Sequence, residues 1–272
     1  MTPSRPRLIG LPWDATSSFL RGAAAAPAAI RAALSSSAGN GWSESLVDTR
    51  AAGWLTDAGD VPVVPGAGET LASIEAGVAT LIADGARPLA LGGDHAVTYP
   101  VLRAIHAAHG PVSILHIDAH PDLYDVYDGD RYTHATPFAR IMEEKLATRL
   151  VQAGIRAMNG HQREQADRYG VEVIDMRAWS RGERPSLDSG PIYVSIDLDG
   201  IDPAHTPGVS HREPGGLTVR EVIGLIQDIG GEIVGADVVE YNPSRDVSDL
   251  TALVAAKLVQ ELAAKMVSAR AG

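Results

Sequence analysis

The stretch "PVSILHIDAHPD", residues 111–122, decides how the chain is read. Val112–Ile117 is an apolar run with the length of a buried strand. Directly behind it, Asp118, His120 and Asp122 take alternate positions. If strand geometry continued, all three side chains would point to one face. Two carboxylates and an imidazole aimed at one place call for a partner that is neither solvent nor core.

Working outward, the same alternation of apolar runs and helical patterns repeats along the chain. Strands are expected at Pro6–Leu11, Pro88–Gly92, Val112–Ile117, Leu150–Ile155, Val171–Asp175, Ile192–Leu198 and Ile233–Glu240. Helices are expected at Pro27–Leu34, Thr70–Ala83, Thr98–His109, Pro137–Glu144, Gln162–Tyr169, Val219–Ile229 and Leu250–Met266. Pro27 suits a first helical turn, and Thr218 with Glu221 has the spacing of a capping box. Strand–helix alternation predicts an α/β fold, a mostly parallel sheet covered by helices on both faces. No internal repeat or low-complexity linker divides the chain, so residues 1–272 are read as one domain.

In open α/β sheets, ligands bind beyond the carboxyl ends of the strands. Polar residues gather there in this sequence. "GGDH" puts Asp94 and His95 just after one strand, Asp118, His120 and Asp122 follow a second, and Asp197 and Asp199 close a third. A lone Asp-x-Asp is ordinarily a turn or a cap, but here the pattern coincides at three strand ends. Asp118, Asp122, Asp197 and Asp199 carry four negative charges beside neutral His95 and His120. Packed together without compensation, such carboxylates would take up protons. Two divalent cations balance the charge. Oxygen-rich ligation with imidazole and no thiolate favours Mn²⁺ over zinc, with Co²⁺, Ni²⁺ and Fe²⁺ left open. Two metals about 3.5–4 Å apart can lower the pKa of a shared water and so generate a nucleophile for an electrophilic carbon.

Two further segments complete such chemistry. "RYTHATPFAR" presents His134 before a helix, placed to pass a proton to a leaving amine. "ADVVEYNPSRD" ends an apolar strand at Glu240, whose carboxylate can grip a planar cation in bidentate fashion. His205 and His211 flank the loop "HTPGVSHREPGG", a candidate pocket mouth. His116 is expected to pack inside its strand.

Composition narrows the function classes. There is no cysteine, which excludes disulfides, thiolate catalysis and cysteine-bound zinc. The net charge of −11 makes nucleic acid and anionic membranes poor electrostatic partners. No apolar run approaches the roughly 20 residues needed to span a bilayer. With no recognisable signal or transit peptide before the first strand, a cytoplasmic protein is expected.

These residues resemble the ureohydrolase family of arginases, agmatinases and their relatives. The resemblance rests on "GGDH" (92–95), "DAHPD" (118–122), "SIDLDGIDP" (195–203), "EPGGLT" (213–218) and "DVVEYNP" (237–243), with "GLPWDATSSFLRG" and "APAAIR" near the amino end. "DAHPDLYD", "YTHATPFARIME" and "PGVSHREPGGLT" make it most similar to the plant-type arginase branch. The resemblance implies a three-layer α/β/α fold and a dinuclear Mn²⁺ centre held by His95, Asp118, His120, Asp122, Asp197 and Asp199. Asp122 is thereby counted with the catalytic residues, His134 becomes the proton-transfer histidine and Glu240 the guanidinium-positioning carboxylate. It further implies a small cationic guanidino substrate and a homo-oligomer, trimer or hexamer. L-Arginine, hydrolysed to L-ornithine and urea, is the expected substrate. Agmatine, 4-guanidinobutyrate, guanidine and formimidoylglutamate remain alternatives, as does a metal-containing relative without turnover. Animal-type arginases carry an asparagine shortly after the Asp-x-His-x-Asp motif. Here that region reads "LYDVYDGDRYT", leaving Asp125, Tyr127, Asp128 and Asp130 as candidates for the substrate's tail by location.

Overall fold

The computed structural model describes residues 5–64 and 66–268. Among these, eight strands form one sheet: β1 (Pro6–Leu11), β2 (Thr56–Asp60), β3 (Arg87–Gly92), β4 (Val112–Ile117), β5 (Ala147–Ile155), β6 (Glu172–Asp175), β7 (Pro191–Asp197) and β8 (Glu232–Val239). They lie in the order β2-β1-β3-β8-β7-β4-β5-β6, and every neighbouring pair is parallel. All strands therefore end on one edge, and β3, β8, β7 and β4 are consecutive neighbours at the centre of that edge.

Among the described residues, eight α-helices flank the sheet: α1 (Ala26–Ser35), α2 (Ala67–Ala83), α3 (Thr98–His109), α4 (Pro137–Glu143), α5 (Gly160–Tyr169), α6 (Met176–Ser180), α7 (Val219–Asp228) and α8 (Leu250–Ser268). Successive strand residues point to opposite faces, and the core divides accordingly. Leu115 and Ile117 of β4 join a core with Ile30 of α1, Ile226 of α7 and Leu262 of α8. Val112 and Ile114 face the other core, with Val78 of α2, Ile105 of α3 and Phe138 of α4. This is the three-layer arrangement the sequence led us to expect.

Two elements were not expected. β2 reads TDAGD and all five of its residues are exposed. It pairs only with β1 at the sheet edge, so it carries no apolar alternation to betray it. α6 is five residues long, started by the Asp175 side chain accepting the Ala178 N–H. Helix α5 begins two residues before the expected Gln162. Asn159 caps it by accepting the Gln162 N–H, and the Gln162 side chain accepts the Asn159 N–H in return. The capping box of Thr218 and Glu221 on α7 is present as read.

Candidate metal centre

β4 ends at Ile117, so Asp118, His120 and Asp122 lie beyond the strand. They converge through a loop rather than by strand alternation. Asp122 sits in the left-handed region at φ 50°, a conformation that costs a non-glycine residue energy and clusters at functional sites. Glu240, one residue past β8, does the same at φ 63°. Close backbone approach holds the neighbouring turns. A Cβ on Gly93 would overlap the carbonyl oxygen of Trp13, and one on Gly200 would come within 2.7 Å of the Asp118 nitrogen.

Three of the four carboxylates share a pattern, and the Asp122 carboxylate meets only His95 among the described residues. Asp118 Oδ1 accepts the His120 N–H at 2.6 Å, Asp197 Oδ1 the Asp199 N–H at 2.8 Å, and Asp199 Oδ1 the Ala119 N–H at 3.2 Å. One oxygen of each is thus fixed by backbone, and the other is turned toward an imidazole. Nδ1 of His95 stands 3.2, 3.1 and 3.2 Å from oxygens of Asp118, Asp122 and Asp197. Nδ1 of His120 stands 3.4 Å from Asp118 and 3.2 Å from Asp199.

His95 supplies the test of whether a cation fits. Its Nδ1 is buried and has no hydrogen-bond partner, although three carboxylates surround it. Its Nε2 lies 3.0 Å from Ser195 Oγ, and that hydroxyl donates to Asp237 Oδ1 at 2.6 Å. The Nε2 proton is therefore taken up by Ser195, which leaves the Nδ1 lone pair directed at the carboxylates. An unpartnered lone pair among acid oxygens is the donor set of a divalent cation.

Electrostatics agrees. Burial, then neighbouring Asp199 and Asp118, hold the Asp197 carboxyl well above the usual carboxylate range, and burial with Asp118 raises Asp122. Burial opposes the charged forms of His95 and His120, but the adjacent carboxylates outweigh it and raise both imidazoles. Burial also raises Asp118, yet His116, His120 and His95 together bring it well below its ordinary value. The protein without a cation thus gathers protons where positive charge is missing.

Several partners of this cluster escaped the sequence reading. His116 does stack on Phe138, at 3.8 Å between ring centroids, but its Nε2 also sits 2.8 Å from Asp118 Oδ2 and its Nδ1 3.0 Å from Gln152. With both nitrogens engaged, it orients Asp118. Asp237, fully buried in β8, accepts hydrogen bonds from Thr98, Tyr193 and Ser195. A charged residue inside an apolar strand was the available signal. Asp94 stands outside the cluster. Its carboxylate accepts the Thr16 N–H and hydroxyl and the Ala96 N–H, tying the loop after β1 to the end of β3.

A cavity of about 150 Å³ opens onto the centre, lined by His120, Asp122, Asp197 and Asp199 together with His134 and Glu240. Glu240 Oε1 accepts the His95 N–H at 3.0 Å and lies 3.8 Å from His134 Nδ1. His134 Nε2 accepts the Ser18 N–H at 3.3 Å and lies 2.9 Å from Ser18 Oγ. Burial, then the neighbouring imidazoles of His211, His95 and His120, lower the His134 pKa to about 3, so the ring is neutral. His211 also lines the cavity, its ring 5.6 Å from that of His134, whereas His205 does not. Of the residues expected at the tail by location, only Tyr127 lines the cavity. Asp125 is taken by Arg140 at 2.6 Å and Arg131 at 3.1 Å, and Asp128 and Asp130 are exposed.

The family model described as "Arginase family" matches residues 5–264. "Arginase 1, mitochondrial" of Arabidopsis thaliana is 47% identical, over 95% of this chain and 80% of that protein. "Agmatinase, mitochondrial" of Gallus gallus is 36% identical, over 93% of this chain and 78% of that protein. The solved structure titled "Arginase from Medicago truncatula" superposes with a TM-score of 0.91 at 46% identity, covering 97% of this chain and 87% of that one. The expected cytoplasmic location is corrected by these findings: both curated relatives are named mitochondrial. A cysteine-free composition does not separate one compartment from another. No described helix is long and apolar enough to cross a membrane.

Proposed function

The chain belongs to the arginase family, and on that premise we propose that it hydrolyses L-arginine to L-ornithine and urea. The observation that carries the reading is the buried, unpartnered Nδ1 of His95 among three carboxylates, on a cavity that also holds Glu240 and His134. The higher identity to a plant arginase than to an agmatinase supports arginine within the guanidino class.

His95, Asp118, His120, Asp122, Asp197 and Asp199 would together hold two divalent cations, which we assign as Mn²⁺. Bound there, the pair would supply Lewis acidity and a nucleophilic oxygen at neutral pH. The protein's own groups do the rest. Glu240, fixed by the His95 N–H, offers its carboxylate to the planar guanidinium and holds the reacting carbon at the metal end of the cavity. Asp122, turned inward by its strained backbone, completes the acid wall around that carbon. His134 is neutral and has Nε2 on Ser18, so its other nitrogen can take a proton from water at the open cavity mouth, pass it to the departing amine and return to its resting state. The homo-oligomer implied by the sequence resemblance is part of the same proposal, and light scattering of the purified protein measures it.

The test is urea release by Mn²⁺-loaded protein, comparing kcat/KM for L-arginine, agmatine, 4-guanidinobutyrate and guanidine. Arginine is expected to lead. A lead for any of the others would overturn the substrate assignment.

A further inference from the structure

The catalytic groups above use only the acidic part of the cavity. Its remaining wall carries no acid, and two of its side chains are neutral donors with nothing to donate to. Gln162, the third residue of α5, is 3% exposed yet lines the cavity. Its Oε1 accepts the Asn159 N–H at 3.4 Å, so the capping box determines which way the amide faces. The Nε2 group is the one turned away, and it has no partner among the described residues. Tyr124 is the second donor. Its phenol oxygen receives the Asn159 Nδ2–H at 2.6 Å, which leaves its own proton free to be donated. Its ring is steadied by His161 at 5.7 Å and Tyr127 at 5.1 Å.

Asn159 therefore arranges both groups at once, occupying an acceptor on each and leaving a donor on each. The strand order sets them against the acids. Gln162 follows β5 and Glu240 follows β8, three strands apart, so they approach the cavity from opposite sides. α5 also begins here, and the positive end of its dipole favours negative charge.

We propose that Gln162 Nε2 and Tyr124 Oη–H bind the carboxylate of the substrate, and so decide between guanidino acids and guanidino amines. The inference rests on the guanidino-hydrolase reading of the site. A buried amide N–H and a phenol O–H can pair with a carboxylate. The ammonium of agmatine would meet donors instead and leave them unpaired, which is how a polar site rejects an analogue.

The experiment compares Gln162→Glu with wild type on L-arginine, 4-guanidinobutyrate, agmatine and guanidine, using the Mn²⁺-loaded full chain. Glutamate retains the acceptor for the Asn159 N–H but replaces the donor with a negative charge. We expect kcat/KM for both carboxylate substrates to fall about 10-fold or more, chiefly through KM. Agmatine should hold or gain, and guanidine, which has no tail, should not change. Tyr124→Phe should move the ratio in the same direction by a smaller factor, which keeps the test intact if the glutamate variant does not fold. A wild type that prefers 4-guanidinobutyrate to arginine would sink the arginine assignment and leave this inference standing. An equal loss on all substrates, or none on any, would overturn the inference and leave arginine hydrolysis untouched. A wild-type preference for agmatine would overturn both.

Discussion

Ser195 Oγ stands 3.0 Å from Nε2 of His95, the one ring nitrogen of that histidine that does not face the carboxylates. Burial and the Asp237 carboxylate hold the Tyr193 phenol well above its ordinary value, so Tyr193 stays protonated and donates to Asp237 alongside Thr98. Among the described residues, Ser195 links the buried Asp237 side chain to His95. Ser195→Ala should leave the fold intact, since Asp237 keeps two donors, and weaken metal affinity by about 10–100-fold. Competition with a chelator of known affinity measures it. Undiminished affinity would mean that His95 is aligned by packing alone.

The acid wall should make the cation part of the fold's stability. At saturating metal, binding to the folded state alone contributes about 2.7 kcal/mol at 100 times Kd. For a chain of this size that corresponds to a fall of roughly 5–10 °C in melting temperature on chelation. Asp122→Ala and Asp199→Ala should each lose metal as well as rate. Elemental analysis of dialysed protein checks the stoichiometry, and two equivalents retained in either variant would remove that residue from the ligand set.

His134→Asn should keep its metals and lose about 10²- to 10⁴-fold in kcat. It also makes a pH prediction. The folded pKa of His134 is lowered to about 3, against about 6.5 in an unfolded chain. Below pH 6.5 the unfolded state binds a proton that the folded state refuses, so stability is lost as pH falls from 6.5 toward 3. Asparagine does not titrate. In metal-free protein the melting temperature of the variant should therefore fall less steeply across that window than that of wild type. Parallel curves would show that the ring is charged in the fold.

Gly93→Ala should be among the most damaging single-methyl changes. The new Cβ would collide with backbone, the carbonyl of Trp13 that receives the Asp94 N–H, and not with a side chain that can turn aside. The loss should be about 3 kcal/mol or more, read by chemical denaturation. A loss under about 1 kcal/mol would mean that the turn after β3 is more pliant than its contacts imply.

Much of this was legible in the sequence because parallel strands are buried and end on one edge. His95, Asp118, His120, Asp122, Asp197 and Asp199 each follow an apolar run, and that run states where the residue lies. What was hidden depends on partners distant in the chain. Asp125 looked available for a substrate until buried Arg140 claimed it from α4. Gln162 entered the sequence reading only as the first residue of an expected helix. Its role at the cavity wall follows from Asn159 reaching Tyr124, 35 residues earlier. β2 escaped because an exposed edge strand has no buried face to impose a period.

The positive φ angles of Asp122 and Glu240 carry a consequence for attempts to harden this protein. Both residues are held in a backbone conformation that glycine adopts freely, and both bury a carboxyl whose ionisation burial and neighbouring acids oppose. Exchanging either for glycine would relieve torsional strain and the cost of burying a carboxyl together. A library screened for heat resistance in the absence of metal would therefore enrich these two positions for glycine. Its winners would be robust and inert, so any such screen has to be run on urea release as well as on survival.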